Sequence, residues 1–103
     1  MTIEIDEVVQ MDPDAVLPFA IEYSDWLTEE ADSFDAGLTP SITVDPTGSL
    51  EVLSDPAPLY SGTQVVWWMQ SGTAGTTYDV TVRITTAGGR VDDRTVGVAV
   101  VER

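Results

Sequence analysis

Residues 76–101 carry the strongest structural signal in the chain and read TTYDVTVRITTAGGRVDDRTVGVAVV. Apolar and polar residues alternate through the first half, which is typical of a β-strand with one buried face. The inward set there is Tyr78, Val80, Val82 and Ile84. The Gly-Gly pair within residues 87–90 supplies the positive φ angles that a tight hairpin turn requires. Alternation resumes in residues 91–101, so the whole stretch predicts an antiparallel hairpin, whose return strand faces inward through Val96, Val98 and Val100.

The same alternation recurs upstream in four shorter segments, residues 17–23, 41–44, 50–53 and 63–70. Turns rich in proline and glycine follow two of them, at residues 45–48 and 55–58. About six or seven short strands with regular turn signals predict an all-β fold, an immunoglobulin-like antiparallel β-sandwich. A small β-barrel is the rival architecture. The length of 103 residues predicts a single domain over residues 1–103, in which residues 1–12 form either a first strand or an N-terminal arm.

Individual residues add local expectations to this outline. Pro18 lacks a backbone N–H, so its strand is predicted to lie at a sheet edge or to begin there. Ser24 or Asp25 is predicted to cap a single helical turn, and Trp26 to fold back onto the core. Tyr78 is predicted to act as a tyrosine corner, with its hydroxyl bonded to nearby backbone.

The strand at residues 63–70 supplies the candidate binding surface. One of its faces is apolar and is predicted to join the core through Val65, Trp67 and Met69. The candidate protein interface is the opposite face, formed by Gln64, Val66, Trp68 and Gln70. An aromatic side chain on the more polar face of a sheet is a plausible anchor for a partner, because aromatic residues are enriched at the centres of protein interfaces. The alternative is that Trp68 is partly buried under a loop.

Charge restricts the choice of partner. The chain has 18 acidic and four basic residues, a net charge of −14, and residues 1–78 contain no basic residue. Nucleic-acid binding is disfavoured because it depends on cations that neutralise phosphates, and an anionic membrane surface is disfavoured for the same reason. The acidic surface either meets a basic partner or serves solubility alone.

The residue types present also argue against an enzyme or a metalloprotein. The chain has no cysteine and no histidine, which excludes thiol nucleophiles, histidine triads and zinc fingers. Asp12 with Asp14, and Asp92 with Asp93, offer oxygen ligands for calcium, but no EF-hand loop is present, so a turn and a polar strand edge are expected. Residues 71–75 lack the lysine of a phosphate-binding loop. No catalytic residue, metal or cofactor is predicted.

Four stretches of the chain resemble small tailed-phage virion proteins of the fibre–tail adaptor type, which are described as immunoglobulin-like. These are DPDAVL at 12–17, SDWL at 24–27, SGTAGTTY at 71–78 and RITTAGGRVDDR at 83–94. The resemblance implies a structural connector that joins the tail or neck to fibres, is assembled in the host cytoplasm and is present in several symmetric copies. Its implied partners are tail, neck, portal-associated or fibre proteins.

Two other functions remain open at this point. A capsid decoration protein would bind the shell rather than the tail, and its copy number in the particle would be far higher. A carbohydrate-binding module would instead use Trp68 and the flanking glutamines to stack and hydrogen-bond a sugar ring.

Overall fold

The structure is a computed structural model that describes residues 2–3, 8–35, 37–45, 47 and 49–102. Within these residues the chain forms nine β-strands and one short helix. In chain order they are β1 (Thr2–Ile3), β2 (Val8–Met11), β3 (Val16–Glu22), α1 (Ser24–Glu29), β4 (Ser41–Asp45), β5 (Glu51–Val52), β6 (Leu59–Ser61), β7 (Gln64–Gln70), β8 (Thr77–Thr85) and β9 (Val91–Val100).

Two sheets pack face to face, and the prediction of an all-β sandwich is confirmed. Sheet A has the order β1-β3-β7-β5, with β6 also paired to β7, and sheet B has the order β2-β9-β8-β4. The C-terminal hairpin forms as predicted, with β8 and β9 antiparallel and Gly89 in the turn at a φ of +88°. The immunoglobulin-like connection of the strands remains a prediction.

Two features of the sheets differ from the sequence-based outline. The segment Leu59–Ser61, which the sequence pattern left unassigned between the turn at 55–58 and the strand at 63–70, is strand β6. Two pairings are parallel rather than antiparallel, β1 with β3 and β2 with β9. Both involve the N-terminal segment, which adds one short strand to each sheet and runs beside a strand of the same direction. Whether the N-terminal residues act as an arm is untested, and residues 4–7 lie outside the described part of the chain.

The core is formed by the inward faces of the central strands. Along β7, Val65, Trp67 and Met69 are fully buried while their neighbours are half-buried, as the alternation predicted. Trp67 stacks on Phe19 of β3 with ring centroids 5.9 Å apart. The facing layer from sheet B consists of buried residues of β8 and β9: Tyr78, Val80, Val82, Ile84, Val96, Val98 and Val100.

Backbone hydrogen bonding explains why β3 tolerates Pro18. The Tyr23 N–H donates to the Thr63 carbonyl. The backbone N–H and C=O groups of the odd-numbered residues of β3 therefore point to β7, and the backbone nitrogen of Pro18 points away from it. On that other side, among the described residues, β1 pairs with Ala20 and Ile21 alone. The prediction that the strand of Pro18 lies at a sheet edge or begins there is wrong, because β3 starts at Val16 and lies between β1 and β7, but the missing N–H of Pro18 costs no hydrogen bond to β7.

The helix begins differently from the prediction. Ser24 is its first residue rather than its cap, and no side chain caps the helix from the preceding position, Tyr23. The Glu22 carboxylate instead accepts the N–H of Ser24, at 3.0 Å. Glu22, two residues before Ser24, thus bonds an N–H of the first helical turn. The sequence pattern had assigned this capping role to Ser24 or Asp25, whose side chains are shorter.

Tyr78 behaves as the predicted tyrosine corner at the start of β8. Its ring is 2 % exposed, and its hydroxyl oxygen accepts the backbone N–H of Thr73 at 3.1 Å. The hydroxyl also lies 3.4 Å from the Ser49 hydroxyl. These contacts fix the loop at residues 71–76 against the sandwich, which confirms that this glycine-containing stretch is a structural loop between β7 and β8.

A carboxylate clasp joins the segment after α1 to the β8–β9 turn. Asp32 accepts N–H groups of Ser33 at 2.8 Å and Gly88 at 3.0 Å, and it pairs with Arg90 at 2.8 Å. The Thr86 hydroxyl, these N–H groups and Arg90 hold the pKa of Asp32 well below its usual range. The clasp therefore favours the ionised form of Asp32 in the folded state.

Replacing Asp32 with asparagine should lower the urea midpoint of unfolding at pH 7. Because the folded-state pKa is depressed, the ionised carboxylate stabilises the fold at any pH above its unfolded value of about 4. That contribution is lost as the pH falls further, towards the folded-state pKa. The stability difference between wild type and Asp32→Asn should thus be steady from pH 7 to about pH 5 and shrink below pH 4.

The matched control is Glu51→Gln, which removes an exposed carboxylate far from the clasp. It should change the urea midpoint little at any pH. A difference for Asp32→Asn that stays constant down to pH 2 would contradict the clasp.

Candidate protein interface

The four residues predicted as an interface lie together on the outer face of sheet A. Gln64, Val66, Trp68 and Gln70 alternate along β7 with the buried core residues, and each is half-buried. They face away from sheet B because the odd-numbered residues of the same strand face it. The predicted grouping on one face is therefore present, while their role in binding remains a prediction.

The register with β3 adds apolar side chains on one side of this row. Trp68 lies opposite Pro18, and Val66 lies opposite Ala20. Val16, at the end of the same face, is 48 % exposed. Directly opposed residues of an antiparallel pair share a face, so these side chains extend the apolar surface from β7 onto β3.

The strands on the other side of β7 extend the surface further. Leu59 of β6 lies opposite Val66 and is 44 % exposed. The N–H of Leu53 donates to the Trp68 carbonyl at 2.9 Å, which places Leu53 next to Trp68 as the ladder of β5 continues. We call this surface the Trp68 patch, and it comprises Val16, Pro18, Leu53, Leu59, Val66 and Trp68; Ala20 shares the face but is buried, at 8 % exposed.

Polar and acidic residues border the Trp68 patch at both ends. At one end Gln64 lies between Glu22 of β3 and Ser61 of β6, and at the other Gln70 pairs with Glu51 of β5. A hydrogen bond from the Thr63 hydroxyl lowers the pKa of Glu22 and so favours its charged form. An apolar centre inside a polar rim is the usual anatomy of a protein interface, and here the charges of the rim are negative.

A family model described as podophage GP4 fiber-tail adaptor protein gp77 matches residues 11–99. The chain belongs to this family. The predicted resemblance to fibre–tail adaptors is thereby confirmed, and membership supports a structural role in the phage particle, in contact with other virion proteins. No curated protein matches the chain.

An aromatic cluster that the sequence pattern did not predict lies at one end of this adaptor-family sandwich. Tyr23 contacts Phe34 edge to face at 5.6 Å, and Phe34 stacks on Tyr60 at 4.3 Å. Trp26 packs against Tyr23 and is half-buried against the core, which agrees with its predicted position. The guanidinium of Arg94 lies 4.1 Å from the centre of the Tyr23 ring, a cation–π contact.

Arg94 contributes to the packing of this end of the sandwich. It occupies an inward position of β9, in phase with Val96, and its side chain is 13 % exposed. Asp92 accepts its Nε at 3.1 Å and neutralises it. The sequence pattern had treated Arg94 as part of a polar strand edge, because an arginine two residues before a run of alternating valines gives no sign of burial.

The acidic pairs considered for calcium are engaged in local contacts. The Asp12 carboxylate accepts the N–H of Asp14 at 2.8 Å, which confirms the predicted turn around Pro13. Asp93 forms a double hydrogen bond with Arg83 across the hairpin, at 2.7 and 2.9 Å. The described residues contain no group of three or more acidic side chains that could hold a metal ion. Helix α1, the one helix of the described residues, is too short to cross a membrane.

Neighbouring tryptophans provide a direct test of this division into core and surface. Trp67→Ala empties a fully buried position and should lower the free energy of unfolding by about 3–5 kcal/mol. Trp68→Ala removes a half-buried side chain from the outer face and should cost less than about 2 kcal/mol. Urea unfolding followed by circular dichroism measures both, and equal losses would contradict the assignment of the two faces.

Proposed function

We propose that this protein is a non-enzymatic connector of a tailed-phage virion that joins the tail or neck to the fibres and docks through the Trp68 patch. Family membership supports the virion role, since the matched region covers most of the chain. The observation that carries the docking mode is the apolar patch on the solvent face of sheet A. Among the described residues no further sheet packs on this face, so the patch can be contacted by another protein.

The composition of the patch matches that of a binding hot spot. A tryptophan at its centre provides a large apolar area at little cost in conformational entropy. Trp68 itself is half-buried, and the rigid ring of Pro18 lies opposite it on β3. Contiguous apolar surface of this kind on a soluble protein marks an interaction site more often than an isolated exposed residue does.

The charge of the chain selects the partner surface. The rim of the patch carries Glu22 and Glu51, and the whole chain carries a net charge of −14. A docking surface with basic residues around an apolar pocket would complement both features, and the attraction would speed association at low salt. We expect several copies around a symmetry axis, because positions at a phage neck or tail are cyclically arranged.

The first test is to count copies in purified particles by quantitative mass spectrometry, relative to the major shell protein. About six to twelve copies, as in a ring of cyclic symmetry, would support the connector. Copies on the order of hundreds would indicate capsid decoration, since shell sites repeat over the whole surface. Absence of the protein from the particle would refute a virion role.

Trp68→Ala should reduce binding to particles assembled without the protein by at least about tenfold, equivalent to roughly 1.4 kcal/mol. The matched control is Val91→Ala, which shortens another exposed apolar side chain, 60 % exposed, on sheet B. It should bind like wild type. Equal binding of all three proteins would exclude the Trp68 patch, and binding of wild type but not Trp68→Ala to a glycan array would indicate sugar recognition instead.

A further inference from the structure

Strand β4 forms the edge of sheet B opposite to β2 and pairs only with β8 within the described residues. It spans Ser41–Asp45, with Pro40 before it and Pro46 after it in the sequence. Sheet edges are commonly protected by proline, lysine or a bulge inside the strand. The five residues of β4 contain neither proline nor lysine.

The hydrogen-bonding phase shows which backbone groups of β4 have no strand partner among the described residues. Thr86 donates its N–H to the Arg90 carbonyl, and Val100 donates to Thr76, so the even-numbered residues of the β8 ladder bond to β9. The odd-numbered residues then bond to β4, and the register places them opposite Ser41, Thr43 and Asp45. The N–H and C=O groups of Ile42 and Val44 consequently point to the open side of the sheet.

The side chains of this edge are also incompletely covered. Ile42 and Val44 point into the sandwich opposite Val82 and Val80, which are fully buried. Ile42 and Val44 themselves are only half-buried, because the sheet ends beside them. A further strand on this side would cover both side chains and pair both sets of backbone groups.

An apolar groove lies next to the residues that precede β4, on the same side of the molecule. Its volume is about 420 Å³, and it is lined by Ser33, Phe34, Leu38, Thr39, Leu59, Tyr60 and Gly62. The stacked rings of Phe34 and Tyr60 contribute apolar walls, and Leu38 and Leu59 at its sides are each more than 40 % exposed. Because Leu38 and Thr39 immediately precede Pro40, a strand paired with β4 would pass this groove.

Charge at the other end of β4 specifies the partner more closely. Asp45 lies directly opposite Asp79 of β8, and both side chains are exposed. Like charges in opposed positions repel, and no ion pair of either carboxylate is present in the described part of the chain. A lysine or arginine next to Asp45 on an added strand would offset one of the two negative charges and weaken their repulsion. A second copy of this chain fits poorly, since it also carries a net charge of −14.

The geometry points to β4 as an augmentation edge that accepts a β-strand from another virion protein, one with alternating apolar side chains and a basic residue beside Asp45. The apolar groove would accept one apolar side chain of that strand. Such pairing takes its affinity from backbone hydrogen bonds and its selectivity from side-chain pockets. This inference rests on the proposed connector function and adds a second contact, separate in position from the centre of the Trp68 patch.

Hydrogen exchange of wild-type protein provides the primary test. The amides of Ile42 and Val44 should exchange about a hundredfold more slowly in purified particles than in the isolated chain, because a paired strand protects them. If the chain is present at ring copy number and these amides exchange at the same rate in both states, the edge inference fails while the connector function stands. If the chain is absent from the particle, both fail.

A pair of variants at one position isolates the backbone contribution. Val44→Pro and Val44→Ala both remove the branched valine side chain, but only proline removes the N–H that points to the open edge. Val44→Pro should enter particles with at least about tenfold fewer copies than Val44→Ala, provided that urea unfolding shows both to be folded. Equal incorporation of two folded variants would overturn the inference, and if Val44→Pro does not fold, the exchange experiment decides alone.

Charge reversal tests the basic partner residue. Asp45→Lys should reduce incorporation at least about tenfold, whereas Glu29→Lys, the same charge change on the exposed side of α1, should not. Equal incorporation of the two variants would contradict a basic residue beside Asp45. Protection of Ile42 and Val44 in concentrated isolated protein, together with dimer formation in sedimentation, would show that a second copy occupies the edge instead.

Discussion

Side chains alternate strictly between the two faces of β7, and this constraint links the core to the outer surface of sheet A. Trp67 and its odd-numbered neighbours are committed to the core, where Trp67 stacks on Phe19. The even-numbered residues must then face outward, and Trp68 follows Trp67 directly in sequence. A shift of one residue would exchange the two tryptophans, and with them the core and the surface. The exposure of Trp68 is thus fixed by the packing of the core, and no loop is needed to present it.

Packing of the aromatic residues sets favourable contacts against the cost of buried polar groups that lack hydrogen bonds. The Tyr23 hydroxyl and the Trp67 indole N–H are buried, and neither has a hydrogen-bond partner within the described residues. Each such group costs about 1–3 kcal/mol. The Arg94 guanidinium over the Tyr23 ring and the edge-to-face contact with Phe34 offset part of that cost. Burial raises the pKa of Tyr23, so the ring stays neutral beneath the arginine.

Local patterns in the sequence predict the C-terminal hairpin, the two faces of β7 and the tyrosine corner, because each depends on residues close together along the chain. The missed features depend on distant partners. Tyr60 belongs to β6, a three-residue strand too short to show a period, and its hydroxyl accepts the N–H of Thr85 where β4 does not reach. The Asp32 clasp joins residues 58 positions apart, and no local pattern distinguishes Asp32 from the other acids of this chain. The family resemblance identified the role but carried no residue of the interface, so Trp68 rests on alternation and register alone.

A connector needs two contact surfaces that can be occupied together, and the two sheets separate them. The Trp68 patch lies on the face of sheet A, whereas the backbone groups of Ile42 and Val44 that point away from β8 lie on an edge of sheet B. Leu59 is the residue that both regions share, since it pairs with Val66 on the patch and lines the groove beside β4. A partner strand that covers Leu59 from the groove would alter the border of the patch, because one side chain cannot be packed from both directions without adjustment. The two contacts would therefore be energetically coupled through β6, and each would change the affinity of the other by the same factor.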